Sequence, residues 1–212
     1  VQEAARKLIH QLNAQDRLAL VAYDSRTYLL HPSALLTPEV RDRMLSEIDY
    51  LTAHGSTFLS GGMALGYEQV AANWTPDAVN RNLLMTDGLA NVGVSAPAEL
   101  ANIVRSQTQD HRITLSTFGV GADFDEKLLA NLSDEGGANY YYIDDPAKMT
   151  AFFQKELYGM MLVSAQQARF QLVVPAQHLQ LEAVYGQKHH AQGDSITIRL
   201  NDIVADEEKA VL

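Results

Sequence analysis

A short apolar run, Leu83–Met85, ends abruptly at Thr86–Asp87–Gly88. An apolar run that stops at polar residues and glycine is typical of a buried parallel strand that brings a carboxylate to the C-terminal edge of a sheet. Open α/β sheets bind their ligands at that edge. Asp87 is therefore a candidate functional residue, although an Asp-Gly pair also serves simply to make a turn.

Helical and strand patterns alternate through about the first 160 residues, with connections of the usual α/β length. The pattern predicts an α/β fold with three layers, in which helices cover both faces of a doubly wound, mostly parallel sheet. Helices are expected at 1–12, 38–51, 63–74 and 97–107, then from a cap at Asp123 or Asp125 to Leu132, and at 145–162. Strands are expected at 17–23, 27–30, 83–87, 113–120 and 140–143.

The pattern changes after Val163, where period-two alternation and turn residues predict antiparallel strands. Strands are expected at 168–174, 179–185 and 195–200, with His189 and His190 in a hairpin turn. We therefore divide the chain into a domain at 1–162 and a partial antiparallel β appendage at 163–212.

Composition excludes several classes of function. The chain has 212 residues, no cysteine and a formal net charge of −10, which exclude disulfides, thiolate chemistry and a basic nucleic-acid surface. No apolar run approaches the roughly 18 residues of a membrane span. The sequence starts without Met inside a helical pattern and ends in an apolar run, so we interpret it as an excerpt of a longer protein, and its compartment stays open.

Other site chemistries are weaker interpretations of the residues. Gly61–Gly66 lacks the start of a dinucleotide-binding loop and follows no strand. No strained Gly-x-Ser-x-Gly turn supplies a nucleophile, and His54 is interpreted as a solvated loop residue. The acidic run Asp123–Glu126 fits a helix cap better than a calcium loop. We predict no enzymatic activity.

Two motifs stand out in the predicted order of elements: Gly55–Ser56–Thr57 before a helix, and Leu84–Gly88 at the end of a strand. With these motifs, the order of elements from Val1 to about Leu162 resembles that of the von Willebrand factor A domain. In that family three loops form a metal-ion-dependent adhesion site. The resemblance implies that Thr57 is the second-loop threonine and Asp87 the third-loop aspartate. Both would be metal ligands, Asp87 either directly or through a water molecule.

The implied cofactor is Mg²⁺, or Mn²⁺ or Ca²⁺ in its place. Hard cations of this kind take oxygen ligands, and Mg²⁺ keeps several waters, so hydroxyls and a carboxylate suit it. The resemblance further implies that an incoming Glu or Asp of a protein partner completes the coordination. The expected function is therefore a protein-binding or adhesion module.

Three departures from the family pattern matter. The first strand and its Asp-x-Ser-x-Ser loop are not in this sequence, so the metal affinity of these residues alone is expected to be poor. Phe58 stands where an asparagine usually follows the threonine. The missing strand would lie between the strands that end at Tyr23 and Asp87, leaving two unpaired edges. A strand outside this sequence, a strand from a second chain by exchange or dimerisation, or another segment is expected to fill the gap.

Two alternative functions remain open at this point. In some relatives the domain is a regulatory or assembly partner of an ATPase or chelatase, and the flanking modules would discriminate this case. The other alternative is a scaffold with a decayed metal site, which Phe58 favours. The segment Gly193–Leu212 also resembles the small β domain that follows this domain in many bacterial proteins.

Overall fold

The computed structural model describes residues 2–52, 55–145, 148–173 and 189–205. The chain divides into two compact units, residues 1–158 and 159–212. None of the described helices is both long and apolar enough to span a membrane. In chain order the elements are α1 (Gln2–Gln11), β1 (Arg17–Tyr23), β2 (Thr27–Leu35), α2 (Pro38–Asp49), α3 (Leu59–Ala71), β3 (Arg81–Thr86), α4 (Pro97–His111), β4 (Thr114–Val120), α5 (Glu126–Glu135), β5 (Gly137–Ile143), α6 (Met149–Met161), β6 (Val163–Val173), β7 (His189–Gln192) and β8 (Ser195–Val204).

A parallel sheet in the order β3-β4-β5 forms the centre of the first unit. Neighbouring residues of β4 face opposite sides, as a strand requires. Thr117 donates its hydroxyl hydrogen to the Leu129 carbonyl of α5 at 2.9 Å, whereas Phe118 packs against Phe153 of α6 in a tilted arrangement with ring centroids 4.9 Å apart. Helices therefore cover both faces, and the predicted three-layer α/β class is confirmed.

The main core lies between this sheet and the helices α3, α4 and α5. Period-two burial of β3 directs Leu84 into it, and helical spacing aligns the apolar residues of the three helices with the same face. Its fully or nearly fully buried members are Leu59, Met63, Tyr67, Leu84, Leu100, Ala101, Val104, Ile113, Leu115, Leu128 and Leu132.

The hairpin β1–β2 forms a separate antiparallel pair that packs on α1 and α2 around Ile9, Met44 and Ile48. The hydroxyl of Thr37 caps α2 by accepting from the Val40 N–H, as the Thr-Pro sequence predicts. Within the described part of the chain, β1 and β3 are not paired as neighbouring strands, and no other strand pairs with the free side of either.

The second unit contains an antiparallel sheet in the order β6-β8-β7. Phe170 pairs with Ile198 and Leu172 with Ile196. The prediction that His189 and His190 lie in a hairpin turn is wrong, because both belong to β7, and the turn falls at the following Gly193 with φ +58°. The strand predicted at 179–185 lies outside the described residues.

One helix start also differs from the sequence prediction. α3 begins at Leu59 instead of about Met63, so Gly61 and Gly62 lie inside its first turns rather than in a loop. A β-carbon on Gly61 would come within 2.6 Å of the Phe58 ring, and one on Gly62 within 2.3 Å of the Tyr23 ring. These two glycines therefore allow two aromatic rings to pack closely against the helix. The sequence did not indicate this, because the low helix propensity of glycine favours a loop at these positions.

Candidate functional site

Asp87 follows the last residue of β3 and is exposed at the C-terminal edge of the parallel sheet. The buried Thr86 holds the turn that presents it. Its hydroxyl donates to the Gly88 carbonyl at 3.2 Å and accepts from the Gly88 N–H at 3.3 Å. The carboxylate therefore lies on a short, hydrogen-bonded turn at the edge where α/β sheets bind ligands.

Thr57 lies in the loop that precedes α3, and its hydroxyl reaches the same turn. A β-carbon on Gly88 would lie 3.0 Å from the Thr57 hydroxyl oxygen. The structure thus brings the two predicted ligand residues to one edge, with the Thr57 hydroxyl against the residue that follows Asp87. Among the described residues, neither the Thr57 hydroxyl nor the Asp87 carboxylate takes part in a hydrogen bond or ion pair.

Asn91 connects the two loops. Its side-chain oxygen accepts from the Thr57 N–H at 2.7 Å, and its own N–H donates to the Thr57 carbonyl at 3.2 Å. Both main-chain groups of Thr57 are thereby held by one residue of the loop that follows Asp87. Sequence reasoning did not identify Asn91, and its signal was faint, since asparagine in a loop often bonds the backbone without any role in a site.

Phe58 docks the same two loops by packing. Besides its contact with Gly61, its ring would lie 2.3 Å from a β-carbon on Gly93, whose φ of +69° itself favours glycine. The Phe58 N–H donates to the Asp24 carbonyl in the β1–β2 turn at 2.6 Å. The residue that departs from the family pattern is therefore a packing element of the site's framework.

Tyr23 supports the end of β3 from the side of β1. Its hydroxyl donates to the Met85 carbonyl at 2.7 Å. Burial raises the pKa of the Tyr23 hydroxyl, a hydrogen bond with Thr86 opposes this, and the charge of Asp87 raises the pKa further. The Asp87 carboxylate thus lies within electrostatic reach of the group that bridges the gap between β1 and β3.

Asp24 is near this site but its carboxylate is already engaged. The backbone N–H of Arg26, at 2.8 Å, holds the pKa of Asp24 below its usual value, with weaker hydrogen bonds from Ser25 and Tyr28. The side chain closes the β1–β2 turn in the manner of an Asx turn. The hydrogen bonds of the Asp24 carboxylate are therefore used within the β1–β2 turn.

The remaining candidate residues do not join the site. Asp125 accepts from the Leu128 N–H at 3.0 Å and caps α5, as predicted, and Gly61–Gly66 is helical instead of forming a phosphate-binding loop. His54 lies outside the described residues. Within the ranges that the structure covers, no three His, Asp or Glu side chains converge on a metal-sized space.

The donor set at the edge has a definite chemistry. One hydroxyl and one carboxylate, both without protein partners among the described residues, are the oxygen ligands that Mg²⁺ and Mn²⁺ accept in sites where waters complete the coordination. Two such groups fit a hard divalent cation but make only part of its coordination sphere. The arrangement provides no nucleophile and base in contact, which covalent catalysis requires.

Comparison with known proteins identifies the family of this fold. The sequence model of the von Willebrand factor type A domain family matches residues 1–156 of this chain. The chain therefore belongs to that family. Domains of this family are generally interaction modules and not enzymes.

Two curated relatives are themselves uncharacterised. Protein YfbK of Escherichia coli K12 is 31% identical over 173 residues, which cover 81% of this chain and 30% of that protein. Protein sll0103 of Synechocystis is 26% identical over 223 residues, covering all of this chain and 51% of that protein. The chain thus spans between about a third and a half of the length of these relatives.

Solved structures confirm the fold. A von Willebrand factor type A protein from Catenulispora acidiphila superposes with a TM-score of 0.77 at 19% identity, over 97% of this chain and 50% of that one. Proximal thread matrix protein 1 of the mussel byssus, solved with zinc in its adhesion-site motif, gives a TM-score of 0.58 at 13% identity, over 82% and 43% of the two chains.

Proposed function

We propose that this chain is a non-enzymatic protein-binding module that holds a divalent cation at the C-terminal edge of its parallel sheet and uses it to bind a carboxylate of a protein partner. The Thr57 hydroxyl and the Asp87 carboxylate are two of the ligands. The cation is Mg²⁺ or Mn²⁺, with Ca²⁺ as the further candidate.

The observation that carries this proposal is that a β-carbon on Gly88, next to Asp87, would lie 3.0 Å from the Thr57 hydroxyl oxygen. Two oxygen groups from separate loops lie at one edge without protein partners among the described residues. A cation held by one carboxylate keeps net positive charge, so it attracts an acidic group of a partner. The zinc-occupied motif of the mussel protein supports a divalent metal in a domain of this fold.

The test is a Mn²⁺ titration of the intact protein, followed by electron paramagnetic resonance or calorimetry. We expect Asp87→Ala and Thr57→Ala each to weaken Mn²⁺ binding by about tenfold or more, since each removes a ligand oxygen. Asp123→Ala is the matched control, because Asp123 is an exposed carboxylate in the loop that follows the neighbouring strand β4. Equal Mn²⁺ affinity in wild type and Asp87→Ala would overturn the ligand assignment.

The partner class is tested separately. Proteins retained by the immobilised intact protein in Mg²⁺ are compared with those retained in EDTA and by Asp87→Ala. Retention that needs both Mg²⁺ and Asp87, and that is lost when acidic side chains of the retained protein are amidated, supports carboxylate binding. Retention that is equal in EDTA contradicts a role for the metal in partner binding.

A further inference from the structure

Two loops of different origin have to meet for the proposed cation site to exist. Thr57 belongs to the loop before α3, whereas Asp87 belongs to the loop after β3, 30 positions further along the sequence. The relative position of the two ligand oxygens therefore depends on contacts between the loops. The apolar core cannot fix it alone, because Asp87 is exposed and Thr57 only half-buried.

Asn91 supplies the polar contact between the loops. It binds the N–H of Thr57 at 2.7 Å through its side chain and the carbonyl of Thr57 at 3.2 Å through its main chain. Two hydrogen bonds to the same residue fix its orientation as well as its distance. The rotation of the Thr57 peptide units, and hence the direction of its side chain, is set by a residue four positions after Asp87.

Asn91 makes this contact without being a ligand itself. Its side-chain oxygen faces the Thr57 N–H, and its side chain is exposed, so the residue is not part of the core. Phe58 and Gly93 pack the same two loops together from the apolar side. The hydrogen bonds that orient Thr57 thus come from Asn91, whereas the apolar packing between the two loops comes from Phe58 and Gly93.

We propose that Asn91 is the positioning residue of the cation site, acting through Thr57. This inference rests on the proposed function. Asn91 holds the Thr57 hydroxyl against the Gly88 turn, so that the hydroxyl and the Asp87 carboxylate face one cation. Groups that orient metal ligands without touching the metal typically contribute tenfold to a hundredfold in metal affinity.

The test measures Mn²⁺ affinity of the intact protein for Asn91→Ala beside Asn80→Ala. Asn80 is a matched control, since its side chain also bridges loop backbone, to the Thr75 and Ala78 carbonyls at 2.7 and 3.0 Å, at the opposite end of β3. We expect Asn91→Ala to weaken Mn²⁺ binding about tenfold and Asn80→Ala to stay within about twofold of wild type. Thermal midpoints in EDTA should be similar for the two variants.

A double-mutant cycle separates positioning from a general structural role. Thr57→Ala keeps the main-chain groups that Asn91 holds but removes the hydroxyl, so adding Asn91→Ala should then cost far less affinity than it does in wild type. Full additivity, or an Asn91→Ala protein with wild-type affinity, overturns the inference. If Asp87→Ala also binds Mn²⁺ like wild type, the proposed function fails; if Asp87→Ala loses binding and Asn91→Ala does not, only the positioning role fails.

Discussion

The hydroxyl of Tyr23 donates to the Met85 carbonyl at 2.7 Å, and its ring lies where a β-carbon on Gly62 would stand. The Tyr23 side chain thus contacts α3 and β3 from its position in β1. Among the described residues, no strand pairs with both β1 and β3, so this side chain connects two strands that are not joined by main-chain pairing. The hydrogen bond ends next to Thr86 and Asp87, so the same side chain steadies the end of β3.

Removal of this hydroxyl has a predictable cost. We expect Tyr23→Phe to lower the free energy of unfolding by about 1 kcal/mol or somewhat more, because the Met85 carbonyl loses its donor. Tyr67→Phe is the matched control: its hydroxyl is buried and has no hydrogen-bond partner within the described residues, so its removal should be neutral or stabilising. Urea unfolding of the two variants tests this, and an equal loss in both would contradict it.

Candidate site residues could be identified from the sequence where the signal lies in the few residues around them. Asp87 lies just after an apolar run, and this strand-end pattern alone identified it as a candidate functional residue. Thr57, in Gly55–Ser56–Thr57, became a candidate ligand only through the resemblance to the family. Asn91 was not predictable, because the group it binds lies 34 residues earlier in the chain. A side chain that bonds another loop's backbone leaves no periodic signal, and only the folded arrangement of the loops reveals it.

At the scale of elements, α6 is attached to the sheet by a buried ion pair. Arg81 of β3 and Glu156 of α6 meet at 2.8 Å, with side chains 5% and 0% exposed. Ser116 donates to one carboxylate oxygen, and Asn139 and Tyr141 donate to the other at 2.9 Å each. Every oxygen of the carboxylate is therefore satisfied, which is the condition under which a buried charge is tolerated.

Breaking this pair should be strongly destabilising. We expect Glu156→Gln to lower the free energy of unfolding by about 3 kcal/mol or more, because the Arg81 guanidinium loses its buried counter-charge. Asp144→Asn, which breaks the exposed pair with Lys148, is the control and should have little effect. Chemical unfolding at neutral pH measures both, and similar stabilities would show that the buried network contributes no more than a surface pair.

The same network predicts a pH dependence. Burial alone raises the pKa of Glu156, but the Arg81 charge and the hydrogen bonds from Ser116 and Asn139 outweigh it and hold the pKa below its ordinary value of 4.5. A lowered folded-state pKa contributes stability that is present above pH 4.5 and is lost as the pH falls through the folded-state pKa. Unfolding between pH 7 and 3 should therefore be less pH-dependent in Glu156→Gln than in wild type.

Element types were predictable where apolar periodicity agreed with capping residues. Thr37 before Pro38 and Asp125 before Glu126 mark the starts of α2 and α5, and both side chains make the expected bonds. The start of α3 was misplaced because glycine normally signals a break. Its glycines are required by two aromatic rings that come from elsewhere in the chain, which no window of sequence around α3 contains.

At the scale of the molecule, two sheet edges are open in the described residues. β1 pairs only with β2, and β3 only with β4, while α3 packs against both strands from one face. Open edges of this kind accept a further strand. We expect a strand from another part of the intact protein, or from a second copy, to pair there.

Hydrogen exchange tests this expectation. In a polypeptide of residues 1–212 alone, amides of β1 and β3 should exchange faster than those of β4, which is paired on both sides. In the intact protein all three strands should be similarly protected if a strand fills the gap. Fast exchange of β1 and β3 in the intact protein, at concentrations where it is monomeric and where it associates, would contradict this expectation.

The main chain of Thr57 is held by Asn91, whereas its side chain is the proposed ligand, and this separation affects how the position can change in evolution or by mutagenesis. Asn91 hydrogen-bonds only the main chain of Thr57, so these two hydrogen bonds do not depend on the side chain at that position. Thr57 can therefore be exchanged for serine, asparagine or aspartate while its backbone anchorage persists. For the proposed cation site, we therefore expect single substitutions at position 57 to change the preferred ion while the hydrogen bonds from Asn91 are kept.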